Sequence, residues 1–129
     1  MTAHFAALYA GILGLIYVPL GFRIALMRGR FKVGIGDGGN AELARAIRVH
    51  GNFIEYVPIA LILLFAVEAL AYPAWSVHAL GVVLVVARLG HLWGLGGSIG
   101  ISIGRTAGMT LTWLMIAVAS LLCIAAAVR

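Results

Sequence analysis

Arg48, Asn52 and Glu55 sit in "RVHGNFIEYVP" and run straight into the apolar stretch "IALILLFAV". In a helix turning 100° per residue, the spacing i, i+4, i+7 sets Asn52 and Glu55 within about 40° of Arg48. Arg45 extends the same stripe one turn earlier. A cation, an amide and a carboxylate on one face have two uses. They satisfy one another and glue helices together, or they line a polar pocket for an anionic or zwitterionic molecule. Two features favour the pocket. Cations are in surplus at the start of the stripe, and Pro58 follows Glu55 by three residues. Its ring bends a helix and frees the Ile54 carbonyl.

Two other segments add polar groups. "ARLGHLW" puts Arg88 and His91 one turn apart on a single helix face, His91 being either a helix–helix hydrogen-bonding residue or a ligand contact. Arg105 opens a further helix in "GRTAGMTLTW". A helix amino terminus carries partial positive charge, so a guanidinium there favours a bound thiol or carboxylate as its anion. The same position also suits an arginine that anchors a helix end among headgroups. Glu68 lies about 200° around the helix from Arg48 and reads as an interfacial carboxylate outside the stripe. His78 and His4 read as interfacial too. Cys123 stands alone, without a disulfide partner or a zinc-ligand pattern, and no metal is expected.

These groups must be positioned by a very apolar chain. Of its 129 residues 64% are hydrophobic and 10% charged, with a mean hydropathy of +1.11. Soluble domains are about 45–50% apolar and about 25% charged. A chain this short cannot hide so much apolar surface inside one globule, so lipid must cover the rest. The expectation is one integral membrane domain over residues 1–129. The net charge of +5 rests on nine Lys/Arg, most of them near one loop. That distribution suits membrane orientation rather than nucleic-acid binding. The amino-terminal apolar run lacks a basic n-region and is too long for a signal peptide, which makes it a retained first span.

A helical span needs about 20 mostly apolar residues. Segments near 4–27, 42–71, 74–95 and 105–128 qualify, giving an all-α four-helix bundle. "YPAW" makes a short turn between the second and third spans, which are therefore antiparallel neighbours. "GRFKVGIGDGGN" and "GLGGSIGISIG" form the other two connections. Arg28, Arg30 and Lys32 lie at the first loop and Arg105 beside the third, while the opposite side carries only Arg129. The positive-inside rule then places both Gly-rich loops in the cytoplasm and both termini in the periplasm. Gly81, Gly90, Gly94, Gly108 and Ser120 allow close helix approach. One such bundle has little interior, so polar groups facing outward imply a partner subunit.

"RVHGNFIEYVP" resembles the second-helix motif of the membrane-associated proteins in eicosanoid and glutathione metabolism, the MAPEG family. Arg48, Asn52, Glu55, Tyr56 and Pro58 all match that motif. "RGRFKV", Glu42, "ARLGH" and Arg105 resemble the family's basic loop, second-helix start, third-helix segment and catalytic arginine. The likeness covers most of the chain and is to microsomal glutathione transferase-like members, here a bacterial one of the inner membrane. It implies a homotrimer with sites between subunits near the cytoplasmic side, binding glutathione as co-substrate. By the same resemblance Arg48, Asn52, Glu55, Tyr56 and His91 bind the tripeptide. Arg28 or Arg30, and His50, reach in from the adjacent subunit. Arg105 lowers the thiol pKa, and an apolar electrophile or hydroperoxide arrives from the bilayer. Leu95 and Met109 stand where some members have tyrosines. The implied activity is that of a glutathione-dependent transferase or peroxidase. Two alternatives come from other classes. One is a membrane protein that binds glutathione or a lipid anion without turnover. The other is a small four-helix drug exporter, disfavoured because the first span has no acid.

Overall fold

The computed structural model describes residues 4–96 and 102–129, with the side chains of residues 95 and 96 outside that description. The Leu95 side chain and most of the third connection therefore lie beyond what is described. Four α-helices follow in order: α1 His4–Phe31, α2 Ala41–Ala69, α3 Ala74–Gly96 and α4 Ile103–Ala127. Each is long and apolar enough to cross a membrane. On α2 the buried residues Phe53, Val57, Ala60, Leu64 and Val67 recur every three or four positions, the spacing of one helix face. They meet Leu13 of α1, Leu84 of α3 and Met115 of α4 in one core. Outward positions such as Leu15, Val18, Leu121 and Ile124 remain exposed. That is the surface expected of helices whose solvent is lipid.

Helix ends are set by local chemistry. α1 continues four residues past the end expected at residue 27, because Met27 and Phe31 pack on Leu43 and Ala46 at the start of α2. It stops where Lys32 turns left-handed at φ 56° and the Val33 N–H returns to the Arg28 carbonyl at 3.1 Å, a common helix-ending geometry. Arg28 Nη1 then donates to the Gly36 carbonyl at 2.8 Å, bracing the loop that follows. Asn40 caps α2 by accepting from the Leu43 N–H. Ser102 caps α4 by accepting from the Arg105 N–H at 3.3 Å, while its hydroxyl donates to the Gly94 carbonyl at 2.8 Å. One serine thus joins the end of α3 to the start of α4.

Among the described residues α1 touches α2 and α3 without reaching α4, and α3 and α4 lie closest together. Gly90 and Gly94 of α3 meet Gly104 of α4, and Gly108, one GxxxG step further on, meets Ala87 and His91. A methyl group on Gly108 would fall 2.5 Å from the Ala87 carbonyl oxygen. The opposite end of the bundle is held by polar ties. Glu68 accepts from the Phe5 N–H at 3.0 Å and the Ala6 N–H at 2.8 Å, so it caps α1 from α2. The Tyr9 hydroxyl bonds His78 Nδ1 at 2.9 Å, and the Tyr72 hydroxyl donates to the Leu122 carbonyl at 2.8 Å.

Gly108→Ala is expected to lower stability by about 1–3 kcal/mol, the usual range for overpacking. Gly29→Ala, which meets open space, is expected to leave it unchanged or raise it. Thermal melting in detergent separates the two. Equal melting temperatures would show that α3 and α4 are not in backbone contact.

Candidate functional site: a cationic cleft between three helices

A cavity of about 390 Å³ opens between α2, α3 and α4. From α2 it takes Arg48, Asn52 and Tyr56, at i, i+4 and i+8. α3 supplies His91, and α4 supplies Arg105, Thr106, Met109, Thr110 and Trp113 along one stripe. Tyr56 and Trp113 face each other across it, ring centroids 6.5 Å apart. The cleft therefore has cations toward the α4 amino end and aromatic rings further along the helices.

Behind the wall lies Arg88, 1% exposed. Its Nη1 donates to Asn52 Oδ1 at 2.8 Å. Its Nη2 donates to Thr112 Oγ1 at 2.6 Å and to the Gly108 carbonyl at 3.3 Å. Thr112 in turn donates its hydroxyl proton to that same carbonyl at 2.8 Å, so its oxygen is left to accept from Arg88. Met109 Sδ lies 3.6 Å from Nη2, and Nε has no partner. Every acceptor is neutral. Among the described residues no carboxylate pairs with Arg88; the ion pair that does form joins Arg48 to Glu55 at 2.8 Å. A charge removed from water costs several kcal/mol unless it is compensated. Arg48 and Arg105 in the wall and Arg88 behind it give the cleft a positive field, which suits anionic groups.

The structure brings together Arg48, Asn52, Tyr56, His91 and Arg105 of the residues singled out from the sequence. Glu55 is not part of the cavity wall. It stands beside it, holding Arg48, and both side chains are largely exposed, at 61% for Arg48 and 47% for Glu55. Arg28, Arg30 and His50 are elsewhere in the chain. Arg28 braces the loop, Arg30 lies over the Phe31 ring at 5.3 Å, and His50 packs on Tyr17 of α1 with centroids 5.2 Å apart. The space beside Pro58 is a second, apolar groove of about 370 Å³ against α1, lined by Tyr17 and Phe53 among others. The gap at the proline is thus separate from the polar cleft.

Sequence reasoning grouped Arg88 with His91 on one polar face without seeing that Arg88 stands behind the wall that His91 lines. It also passed over Thr106, Thr110, Thr112 and Trp113. The recurrence of threonine at 106 and 110, one turn apart in an otherwise apolar helix, was the available signal.

Four membrane-length helices, three of them walling a cationic cleft at the amino end of α4, define a polytopic all-α membrane protein. The chain belongs to the MAPEG family, whose model matches residues 6–125. It is 39% identical over 108 residues to inner membrane protein YecN of Escherichia coli strain K12, covering 84% of this chain and 81% of that protein. YecN of Escherichia coli O6:H1 matches with the same identity and coverage.

Thr112→Val removes an acceptor from a buried guanidinium while keeping the side-chain shape. Stability is expected to fall by about 1–3 kcal/mol, the cost of an unmet buried polar group, and Thr112→Ser is expected to restore most of it. Melting curves of the two variants check this. Indifference to Thr112→Val would mean that Arg88 is not held as described.

Proposed function

We propose that this protein is a glutathione-dependent transferase or peroxidase of a bacterial inner membrane, acting on lipophilic electrophiles or hydroperoxides. The observation that carries the reading is the cleft that joins Arg48, Asn52, Tyr56, His91 and Arg105. Glutathione presents two carboxylates, an ammonium and a thiol. Guanidinium groups suit the carboxylates, Glu55 suits the ammonium, and the Asn52 amide suits a peptide or carboxylate oxygen. Arg105, in the first turn of α4, adds its charge to the helix amino terminus and favours the thiolate. The thiolate sulfur then bonds to an electrophilic carbon as the leaving group departs. An apolar groove along α4, lined by Ile103, Ala107 and Leu111, shares Thr106 and Thr110 with the cleft. It gives a lipid-soluble second substrate a route from the bilayer to the sulfur.

The assembly proposed is a homotrimer. Arg48 and Glu55 are exposed on the flank of a membrane-length helix, where contact with lipid costs at least a few kcal/mol. A neighbouring subunit relieves that cost and turns an open cleft into an enclosed one. Arg28, Arg30 and His50, remote from the cleft of their own chain, belong in this arrangement to the cleft of the next. The basic loop faces the cytoplasm and the termini the periplasm, as the distribution of Lys and Arg favours. A second reading, binding without turnover, is favoured by Met109, whose thioether occupies the cleft wall where some family members carry a tyrosine.

In detergent, glutathione at 100 times its Kd is expected to stabilise the protein by about 2.7 kcal/mol, seen as a raised melting temperature. Arg48→Ala and Glu55→Gln are each expected to abolish the shift, and retention of it by both would remove the cleft as the binding site. Arg105→Ala is expected to keep part of the binding and to lose the thiolate absorbance of bound glutathione. A conjugation assay with a model aryl halide separates the two readings: turnover supports the transferase, and binding without turnover supports the second.

A further inference from the structure

Asn52 can face the cleft in two ways, with its carbonyl oxygen or with its NH2. Side-chain amides are commonly ambiguous in this respect, but here the partner decides. A guanidinium has donors only, so the atom 2.8 Å from Arg88 Nη1 must be the amide oxygen. Asn52 itself lines the cleft while Arg88 does not. With the oxygen committed to Arg88, the NH2 is the group left for an occupant. Arg88 is fixed in turn by the Thr112 hydroxyl at 2.6 Å, and that hydroxyl is fixed by the Gly108 carbonyl at 2.8 Å. The orientation of one amide on α2 is thus dictated by the backbone of α4 through a buried cation on α3.

We propose that Arg88 is a positioning residue of the glutathione site: by holding the Asn52 oxygen, it presents the Asn52 NH2 as a fixed donor that selects an acceptor oxygen, carboxylate or peptide carbonyl, on the ligand. This rests on the glutathione reading above and adds to it the residue that sets polarity at one point of the cleft. Without Arg88 the amide is free to turn, and a carbonyl oxygen facing a carboxylate repels it. The positive charge of Arg88 acts in the same direction through the wall, since no carboxylate among the described residues pairs with it.

The test measures glutathione affinity of the full chain in detergent, with the melting temperature of the ligand-free protein followed alongside. Asn52→Asp keeps a partner for the Arg88 guanidinium and is expected to stay folded. It offers no donor, so affinity is expected to fall at least ten-fold; wild-type affinity in this variant would overturn the proposal. Arg88→Met is expected to weaken binding about ten-fold in the wild-type background and less than two-fold in an Asn52→Ala background. Such non-additivity marks a residue that acts through another. A purely structural role predicts equal losses in both backgrounds, and that result would also overturn it. Where Arg88→Met does not fold, Thr112→Val, which frees Arg88 from its hydroxyl acceptor, takes its place in the same two backgrounds: a loss confined to the wild-type background supports the assignment, and equal losses overturn it. A wild-type protein with no affinity for glutathione would overturn the functional reading and this assignment together, whereas wild-type binding with additive losses removes Arg88 alone.

Discussion

A buried guanidinium with neutral acceptors is the constraint on which the site depends. Arg88 draws on a side chain of α2 and on a hydroxyl and a carbonyl of α4. Leaving a charge unmet in a membrane-length helix bundle is costly, so the three helices must adopt the spacing at which those acceptors reach it. Gly108 serves twice. Its missing side chain admits the α3 backbone, and its carbonyl is then near enough to receive both Arg88 and Thr112. Close packing and polar satisfaction are the same geometric fact here.

The two ends of the bundle solve different problems. At the α2–α3 turn, polar groups are consumed by structure: Glu68 by the first N–H groups of α1, Tyr9 by His78, and Tyr72 by a carbonyl of α4. At the other end cations gather around a cavity. Arg48, paired with Glu55, and Arg105 line it, and Arg88 stands behind it. An apolar core between the ends holds the helices in register. The division places structural polar ties at one end of a small protein and a cation-lined cavity at the other.

Length, hydropathy and the placement of Gly and Pro were enough to read four membrane-length helices, because those features report on each segment by itself. The stripe of Arg48 and Asn52 was legible for the same reason, since a helix repeats every 3.6 residues wherever it lies. So was the family, through a motif carried by contiguous residues. Glu55 was legible as a neighbour of Arg48, but its place beside the cavity wall was not. Spacing gives an angle around one helix and says nothing of which neighbour fills the space beyond it.

Arg88 marks the boundary between the two kinds of knowledge. Its identity in "ARLGH" announced a charge in a span that must be answered. What answered it was Asn52, 36 positions earlier, and Thr112, 24 positions later. The chain alone determined that there would be helices, which faces were polar, and that a cation had to be satisfied among them. Only the tertiary structure decided which acceptors it met, which way the Asn52 amide points, and that Arg28, Arg30 and His50 stand away from the cleft. Local periodicity is written along the sequence, whereas hydrogen bonds between helices depend on distances that exist only after those helices pack.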